Sequence, residues 1–368
     1  MAGEIVLFGA TGYTGGLTAR ALLERGARPV LAARNAQRLG ALAEELGGLD
    51  TRVADVAQPA GLGGIVGRGD VLVSTVGPFA RWGEPAVEAV LAGGAHYIDS
   101  TGEGAFIRRI FEEWGPRAAL AGSALITAFG YDFVPGNLSG GLALREAGPD
   151  ACRVEVCYMA PGGGRPTAVS GGTRASAAGA MLEPAFSWRG GRMLTERGAA
   201  RVKHFNLRAA ADVAGVSLGG TEAFALPRLT PGLKDVEVYL ATGPAAWPLA
   251  VFSATLSAVS KVPGARSALH GLMDRTVKGS TGGPDASARA KSGSVVLAVV
   301  YDAAGRRLSE VRLEGVNVYT FTAEILAWGA MTAAAGGLLG VGALGPVDAY
   351  GLDALQGGAA GAGMSVVG

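Results

Sequence analysis

The sequence is poor in the residues on which disulfides and metal sites depend. Its 368 residues include two cysteines and three histidines. Cys152 and Cys157 stand five residues apart on a predicted strand, so their side chains point to opposite faces and a disulfide between them is not expected. His96, His204 and His270 have no metal-ligand spacing with either cysteine. We therefore expect no metal site.

The sequence also has little net charge and no long unbroken apolar run. Its 32 Lys and Arg residues nearly balance 31 Asp and Glu residues, so there is no electrostatic basis for binding nucleic acid or an acidic membrane. The most apolar stretch, residues 245–262, contains Pro248, and its unbroken part falls short of about 18 residues, the length that a membrane span needs. We expect a helix there that is buried or faces a lipid-like substrate.

The beginning of the chain has no pattern typical of an exported protein. The first predicted strand begins within a few residues of Met1, which leaves no room for a signal peptide. We therefore expect a cytoplasmic protein without an integral membrane span.

A glycine-rich turn is present near the start of the chain. Residues 4–15 read EIVLFGATGYTG, an apolar run that gives way to three glycines at three-residue spacing. This pattern predicts a buried strand, a tight turn and a helix over residues 14–24, with the helix N-terminus aimed at an anion. Glycine at 9 and 12 lets the backbone approach a pyrophosphate, and Gly15 lets the helix lie close to the strand. The predicted dinucleotide-binding residues of this turn are Gly9, Thr11, Gly12, Tyr13, Thr14 and Gly15.

The end of the second predicted strand, residues 28–33, indicates which dinucleotide is bound. An NAD-preferring protein has an acid about 20 residues after the last glycine, to bind the ribose diol. This chain has Arg34 and Asn35 there, with Arg38 one helical turn further on. Arginine suits a 2′-phosphate, which favours NADP(H) as the cofactor. The alternative is that both arginines are solvated residues at a helix start.

The first part of the chain alternates between strand and helix patterns. Further strands are predicted at 50–56, 70–76, 96–100 and 124–129, and helices at 59–66, 84–91 and 104–120. This alternation predicts an α/β fold with an N-terminal Rossmann domain, a doubly wound parallel sheet over residues 1–149. The ligand of such a sheet lies outside the carboxyl ends of its strands.

The pattern changes near residue 150. Strands are predicted at 153–159, 236–241, 294–301 and 307–318, with a hairpin connection at 302–305. They indicate a second α+β domain with a mostly antiparallel sheet, residues 150–319, for the substrate and for dimer contacts. Residues 320–368 begin with a helix over 320–339, and we expect this segment to return to the Rossmann domain.

Several motifs together resemble the saccharopine dehydrogenase-like NADP-binding reductases, over most of the chain. The resemblance is greatest to the branch with the mycobacterial trans-acting enoyl reductases and the animal saccharopine dehydrogenase-like oxidoreductase. One departure is Asn137, where relatives often have an acid. The motifs lie at residues 9–15, 33–35, 74–79, 97–103, 130–135, 170–173 and 342–346.

The resemblance and the predicted sheet agree on further cofactor contacts. The loop after the fourth strand lies across the crevice from the glycine turn and is expected to border the nicotinamide ribose. An ordinary Gly-Pro turn is the alternative. Asp55, after the third strand, either accepts a hydrogen bond from the adenine amino group or caps a helix ahead of Pro59. The residues of the fourth-strand loop are Val76, Gly77, Pro78 and Phe79.

A hydride reduction also needs a proton donor in the cleft. Candidates at the ends of the fifth and sixth strands are Tyr97, Asp99, Glu103, Tyr131 and Asp132. We favour Tyr131 and Asp132, with Tyr97 next, because Gly130 allows a sharp turn out of the sheet and Pro135 begins a helix. The alternative is that Asp132 caps that helix and Tyr131 fills the core.

These features predict an NADPH-dependent reductase of an activated double bond, enoyl C=C or imine C=N. The expected substrate is a largely apolar biosynthetic intermediate, bound between residues 130–135 and 170–173, and a homodimer is an expected assembly. Two alternatives remain. One is a saccharopine-type amino-acid dehydrogenase working through an imine, and the other is a non-catalytic dinucleotide- or lipid-binding protein.

Overall fold

The structure is a computed structural model that describes residues 2–160, 183–205, 213–259 and 282–367. The described strands form two sheets, of seven and nine strands. The first six strands are β1 (Ile5–Phe8), β2 (Val30–Ala33), β3 (Thr51–Val53), β4 (Val71–Ser74), β5 (His96–Asp99) and β6 (Ala124–Ile126). The next five are β7 (Arg153–Met159), β8 (Pro184–Arg189), β9 (Arg192–Arg197), β10 (Val202–Phe205) and β11 (Val213–Leu218). The last five are β12 (Asp235–Ala241), β13 (Ser294–Tyr301), β14 (Arg307–Gly315), β15 (Gly342–Ala343) and β16 (Met364–Val367).

Helices connect and cover these strands. Those before residue 150 are α1 (Tyr13–Glu24), α2 (Ala36–Glu45), α3 (Phe79–Trp82), α4 (Glu84–Gly93), α5 (Gly104–Arg109), α6 (Gly115–Ala121) and α7 (Val134–Ala147). Those after it are α8 (Glu222–Leu229), α9 (Ala246–Val259), α10 (Ala286–Ala290), α11 (Val318–Ala334), α12 (Pro346–Tyr350) and α13 (Leu352–Gly361). A π-helical turn, Ile110–Trp114, joins α5 to α6.

The seven-stranded sheet is parallel throughout, in the order β15-β6-β5-β4-β1-β2-β3. Every residue of β1, β2 and β4 is buried, as expected for strands covered by helices on both faces. The chain order reverses between β1 and β4, so the crevice at this point is the expected ligand site. The predicted Rossmann sheet is confirmed.

The nine-stranded sheet has the path β10-β11-β12-β7-β13-β14-β16, with the β8–β9 hairpin attached to β12. Only β12 and β7 are parallel neighbours among its described pairs. The predicted mostly antiparallel sheet is therefore confirmed. Helix α7 has eleven buried residues and packs between this sheet and helices α8, α12 and α13.

Two predicted elements, a helix and a strand, differ clearly from the structure. The helix predicted over 59–66 is a four-residue 3₁₀ turn, Pro59–Leu62, because the glycines around it weaken a helix and Gly64 takes φ +75°. The strand predicted to 318 ends at Gly315, since Asn317 caps α11 by accepting a hydrogen bond from the Tyr319 amide.

Helix α9, within the predicted apolar stretch, is largely exposed, so the expected burial is wrong and the alternative, a helix that faces a lipid-like substrate, stays a prediction. Only small residues of α9, such as Ala246, Ala250 and Ser253, are buried, whereas Trp247 and Val251 are 62% and 63% exposed. The small inward residues let the helix lie close to the sheet, and the large ones remain outside. No helix in the described ranges is long and apolar enough to cross a membrane.

The C-terminal segment contributes to both sheets. Helix α11 packs against α1, where Arg25 Nε donates to Glu324 Oε2 at 3.0 Å. Strand β15 then extends the first sheet beside β6, and β16 extends the second sheet beside β14. The segment therefore contributes one strand to each sheet.

Candidate functional site

The glycine turn has the shape that a dinucleotide phosphate requires. Gly9 takes φ +87°, and a Cβ there would lie 2.7 Å from Thr75 Oγ1. A Cβ on Gly15 would lie 2.3 Å from the Gly9 carbonyl oxygen, so α1 can approach β1 only with glycine at this position. Gly12, at the N-terminus of α1, presents no side chain. The turn thus leaves its backbone open to an anion, and a dinucleotide fits it.

A cleft of about 480 Å³ lies beside this turn, lined by Thr11, Gly12 and Tyr13 and by residues of α1 and α2. Two arginines line it. Arg20 is neutralised by Glu45, with Nη2 and Oε1 2.5 Å apart. Arg38 has no ion-pair partner in the described part of the chain, which leaves its charge available for a phosphate.

The structure separates the roles of the residues after β2. Arg34 is exposed and does not line the cleft. Asn35 caps α2, since its Oδ1 accepts a hydrogen bond from the Arg38 amide at 2.9 Å. Arg38 is thus the better placed of the two arginines offered for the 2′-phosphate, and cofactor contacts of Arg34 and Asn35 remain predictions.

Asp55 closes the turn that precedes Pro59, and its two suggested roles, the adenine contact and a helix cap, stay predictions. Its Oδ1 accepts a hydrogen bond from the Ala57 amide at 3.0 Å, and its carbonyl accepts one from the Gln58 amide at 2.9 Å. These bonds close the turn that leads to Pro59.

The loop after β4 is fixed between the glycine turn and the loop after β5. Thr75 Oγ1 donates toward the Gly9 carbonyl at 3.2 Å, and the Glu103 carboxylate accepts from the amides of Phe79 and Ala80, both at 2.8 Å. The Phe79 ring packs against Phe106 with centroids 5.7 Å apart. Val76, Gly77 and Pro78 are partly exposed, and their contact with the nicotinamide ribose remains a prediction. Glu103 is engaged in holding this loop.

Asp99 ties the ends of β5 and β6 together. Its Oδ1 accepts from the amides of Thr101 and Ala128, and its Oδ2 accepts from Thr127 Oγ1, all at 2.8 Å. Burial raises the pKa of this carboxyl to about 6. Tyr97, two residues earlier, has no exposed surface, and burial raises its pKa well above the usual value. Tyr97 therefore cannot reach a substrate, which corrects its assignment as a proton donor.

The assignment of Tyr131 as a proton donor is also corrected. Its hydroxyl donates to the Met159 carbonyl at 2.6 Å and lies 3.2 Å from the Val295 carbonyl. The residue is 7% exposed, and burial raises the pKa of its phenol above the ordinary value of a tyrosine. Tyr131 links the end of β6 to the second sheet, and its proton is not available for transfer.

Asp132 remains as a candidate acid at the carboxyl edge of the first sheet. Solvent reaches its side chain, although protein surrounds it closely enough to raise its pKa to about 6 by desolvation. It does not cap α7, whose N-cap is Phe133 without a side-chain hydrogen bond. Among the described residues its carboxyl has no hydrogen-bond partner. A Cβ on Gly102 would lie 3.4 Å from Asp132 Cγ, which places the carboxyl beside the loop after β5.

The sequence analysis missed a second acid behind Asp132. Glu222, the first residue of α8, is fully buried, and its Oε1 lies 2.5 Å from the Tyr158 hydroxyl. That hydroxyl accepts from the Gly136 amide at 2.8 Å. Burial, with the nearby charge of Asp132, raises the pKa of Glu222 to about 8. The sequence signal that could have identified Glu222 is an acid at a helix start, directly after Gly219-Gly220-Thr221.

Asn137, the departure from the family pattern, belongs to the same region. Its Nδ2 donates to the Phe133 carbonyl at 2.7 Å and to Thr221 Oγ1 at 2.8 Å. Thr221 immediately precedes Glu222. The amide at this position therefore joins the start of α7 to the start of α8.

Three further expectations concern a disulfide, a metal site and the substrate loop. Cys152 and Cys157 are both free thiols. Across the described ranges no group of three or more His, Cys, Asp or Glu residues could hold a metal ion. The predicted substrate loop at residues 170–173 lies outside the described residues.

The parallel sheet, the glycine turn and the second sheet beside the cleft define a two-domain Rossmann-type dinucleotide-binding protein. Residues 5–118 match the family model of the saccharopine dehydrogenase NADP binding domain. This match confirms the predicted resemblance for the N-terminal part of the chain and supports NADP(H) as the predicted cofactor.

Two curated relatives each match a part of the chain. A trans-acting enoyl reductase of Mycobacterium ulcerans is 40% identical over 153 residues, which are 40% of this chain and 37% of that protein. A putative trans-acting enoyl reductase of Mycobacterium tuberculosis is 42% identical over 142 residues, 37% of this chain and 34% of that protein. The matched region thus spans little more than a third of each relative.

A solved structure extends the likeness in fold to the whole chain. Apo saccharopine dehydrogenase (L-Glu forming) from Saccharomyces cerevisiae aligns with a TM-score of 0.61 over 100% of both chains, at 12% identity. This likeness supports the two-domain architecture and not a shared substrate.

Proposed function

We propose that this protein is an NADPH-dependent reductase that transfers a hydride to an activated double bond, enoyl C=C or imine C=N, of a small apolar molecule. The observation that carries the proposal is Asp132, a carboxyl unpaired among the described residues that lies beside the loop after β5, at the carboxyl edge of the sheet whose residues match an NADP-binding domain. A hydride reduction needs a proton donor at that edge. The names of the curated relatives favour the enoyl substrate.

Each part of the site has a role in this reaction. The amides of the glycine turn bind the diphosphate, and Arg38 binds the 2′-phosphate. NADPH, when bound, supplies the hydride. Asp132 holds the proton at a carboxyl oxygen and donates it to the substrate atom that becomes electron-rich. Asp99 and Glu103 hold the loops that carry these groups.

An apolar substrate is supported by the surroundings of Asp132. Its two chain neighbours, Tyr131 and Phe133, are aromatic, and the buried Tyr158 ring meets both of them edge-on, with centroids 5.6 and 6.0 Å apart. Within the described ranges no Arg or Lys side chain pairs with Asp132. A dicarboxylate substrate would call for convergent arginines, whereas this surface suits an acyl chain.

We also propose a cytoplasmic homodimer. The two free thiols agree with a reducing compartment. The exposed apolar side chains of α9, Trp247, Val251 and Phe252, offer a surface that a second copy would cover. Light scattering on the purified protein and on Trp247→Lys tests the dimer, which the substitution is expected to weaken.

The reaction is tested with NADPH and a series of 2-enoyl thioesters of increasing chain length. We expect NADPH oxidation with saturated thioester as the product by mass spectrometry, and lower KM values for longer chains. Saccharopine with NADP⁺ is the comparison substrate. Turnover of saccharopine alone would favour the amino-acid dehydrogenase, and NADPH binding without turnover of either class would favour a binding protein.

A further inference from the structure

The side chain of Tyr13, the first residue of α1, is enclosed by the segment that precedes β13. The Tyr13 hydroxyl donates to the Pro284 carbonyl, and Arg289 Nη1 donates to the Tyr13 hydroxyl at 3.0 Å and to the Pro284 carbonyl at 2.9 Å. A Cβ on Gly283 would lie 2.6 Å from the Tyr13 ring. The other side of the ring meets Tyr319, with centroids 5.2 Å apart. Segment 283–289 is thus fixed beside the glycine turn.

Arg289 brings an unneutralised charge to this place. Its side chain is partly buried and pairs with no Asp or Glu of the described residues. Both of its hydrogen bonds use Nη1, so the N–H groups of Nε and Nη2 have no acceptor there. The nearby carboxylate, Asp285, is occupied as the cap of α10, where it accepts from the Ala288 amide at 2.8 Å. A guanidinium with free donors suits a phosphate.

We propose that Arg289 is a cofactor-binding residue, whose guanidinium, positioned by the Tyr13 hydroxyl, binds the dinucleotide diphosphate from the second-domain side. The glycine turn offers backbone amides on one side of the anion, and Arg289 adds charge on the other. NADPH and NADH both carry the diphosphate, so Arg289 acts on both. The inference rests on the NADP-binding domain and not on the proposed reaction.

This role differs from that of Arg38. Arg38 lines the cleft on the α2 side, where the 2′-phosphate distinguishes the two cofactors. Loss of Arg289 is therefore expected to lower affinity for both cofactors equally, whereas loss of Arg38 lowers it for NADPH alone. The comparison of the two cofactors identifies the phosphate that each arginine binds.

The test is isothermal titration of NADPH and NADH into the full chain and its variants. Arg289→Gln removes the charge and keeps a donor for Tyr13 and Pro284. We expect its Kd to rise about tenfold or more for both cofactors, with Arg289→Lys in between. Lys291→Ala removes an exposed charge from the same segment and is expected to change Kd less than twofold. Melting temperatures without cofactor report whether each variant is folded.

Tyr13→Phe tests the positioning role. We expect a Kd increase of about threefold for both cofactors, and Arg289→Gln is expected to have a smaller effect in this background than in the natural sequence. Unchanged binding of both cofactors by Arg289→Gln, or a loss confined to NADPH, would overturn the inference. So would an equal loss in Arg289→Lys with a lowered melting temperature, since the role would then be structural. If the natural protein bound neither cofactor, the cofactor assignment would fail as well.

Discussion

The Tyr131 hydroxyl lies 2.6 Å from the carbonyl oxygen of Met159, to which it donates a hydrogen bond. The two residues belong to different sheets, Tyr131 after β6 and Met159 at the end of β7. The bond therefore joins the segment after β6 to the second sheet. Tyr131 was a candidate proton donor, but this bond shows that it connects the two sheets.

The first prediction follows from this bond. Tyr131→Phe is expected to retain most of the turnover, because Asp132 and not the phenol supplies the proton. It is expected to lose about 1 to 2 kcal/mol in the free energy of unfolding, because a buried carbonyl loses its donor. Urea unfolding and steady-state rates measure the two effects. Tyr350→Phe is the matched control, since Tyr350 donates to the Gly329 carbonyl at 3.0 Å away from the site. A hundredfold loss of turnover in Tyr131→Phe alone would restore the phenol as donor.

Asp132 carries the second prediction. Asp132→Asn removes the proton donor and is expected to lower turnover about 100-fold, with the Kd for NADPH unchanged. The pKa of Asp132 is about 6, and the protonated form is the active one. Turnover of the natural protein should therefore fall as the pH rises above about 6. Rates from pH 5 to 8 measure this, with Asp50→Asn, an exposed acid, as the control. A flat profile would remove Asp132 from the mechanism.

Arg38 and Arg34 give the third prediction. Arg38→Ala is expected to weaken NADPH about tenfold and to leave NADH unchanged, because only NADPH carries the 2′-phosphate. Arg34→Ala is expected to have the smaller effect, since Arg34 does not line the cleft. Titration of both cofactors into both variants measures the ranking. A larger loss in Arg34→Ala would reverse the assignment.

Glu222 gives the fourth prediction, on stability. Its pKa rises from an ordinary value of 4.5 to about 8 in the folded protein. The unfolded chain therefore releases this proton at lower pH than the folded one, and the free energy of unfolding falls as the pH rises between these values. Glu222→Gln cannot ionise, so its stability should fall less over that interval. Urea unfolding at pH 5, 7 and 9 compares it with Glu146→Gln, an exposed acid. Identical slopes for Glu222→Gln and the natural protein would show that Glu222 is already ionised when folded.

The first domain could be predicted from sequence because its signals are local. The glycine turn, the buried strand before it and the helix after it lie within one short segment, and β1 and α1 appear where the pattern placed them. The predicted helix at 59–66 is wrong because Gly61, Gly63 and Gly64 weaken a helix there.

The roles of individual side chains in the cleft could not be read in this way. Tyr131 meets partners 28 and 164 residues away, and Tyr158 meets Glu222 over 64 residues. Such pairs depend on how the second sheet lies against the first. Asp132 and Tyr131 are adjacent in the sequence. Only their burial and hydrogen bonds show that Asp132 is the candidate acid and that Tyr131 connects the two sheets.

The C-terminal segment that supplies β15 to one sheet and β16 to the other has a consequence for motion and for folding. Strands β15 and β16 lie on one segment of the chain, so the same segment completes an edge of each sheet. Any opening of the cleft must also bend this shared segment together with α7. We therefore expect the two domains to unfold in a single cooperative transition, and the cleft to open by a small hinge movement and not by separation of two independent bodies.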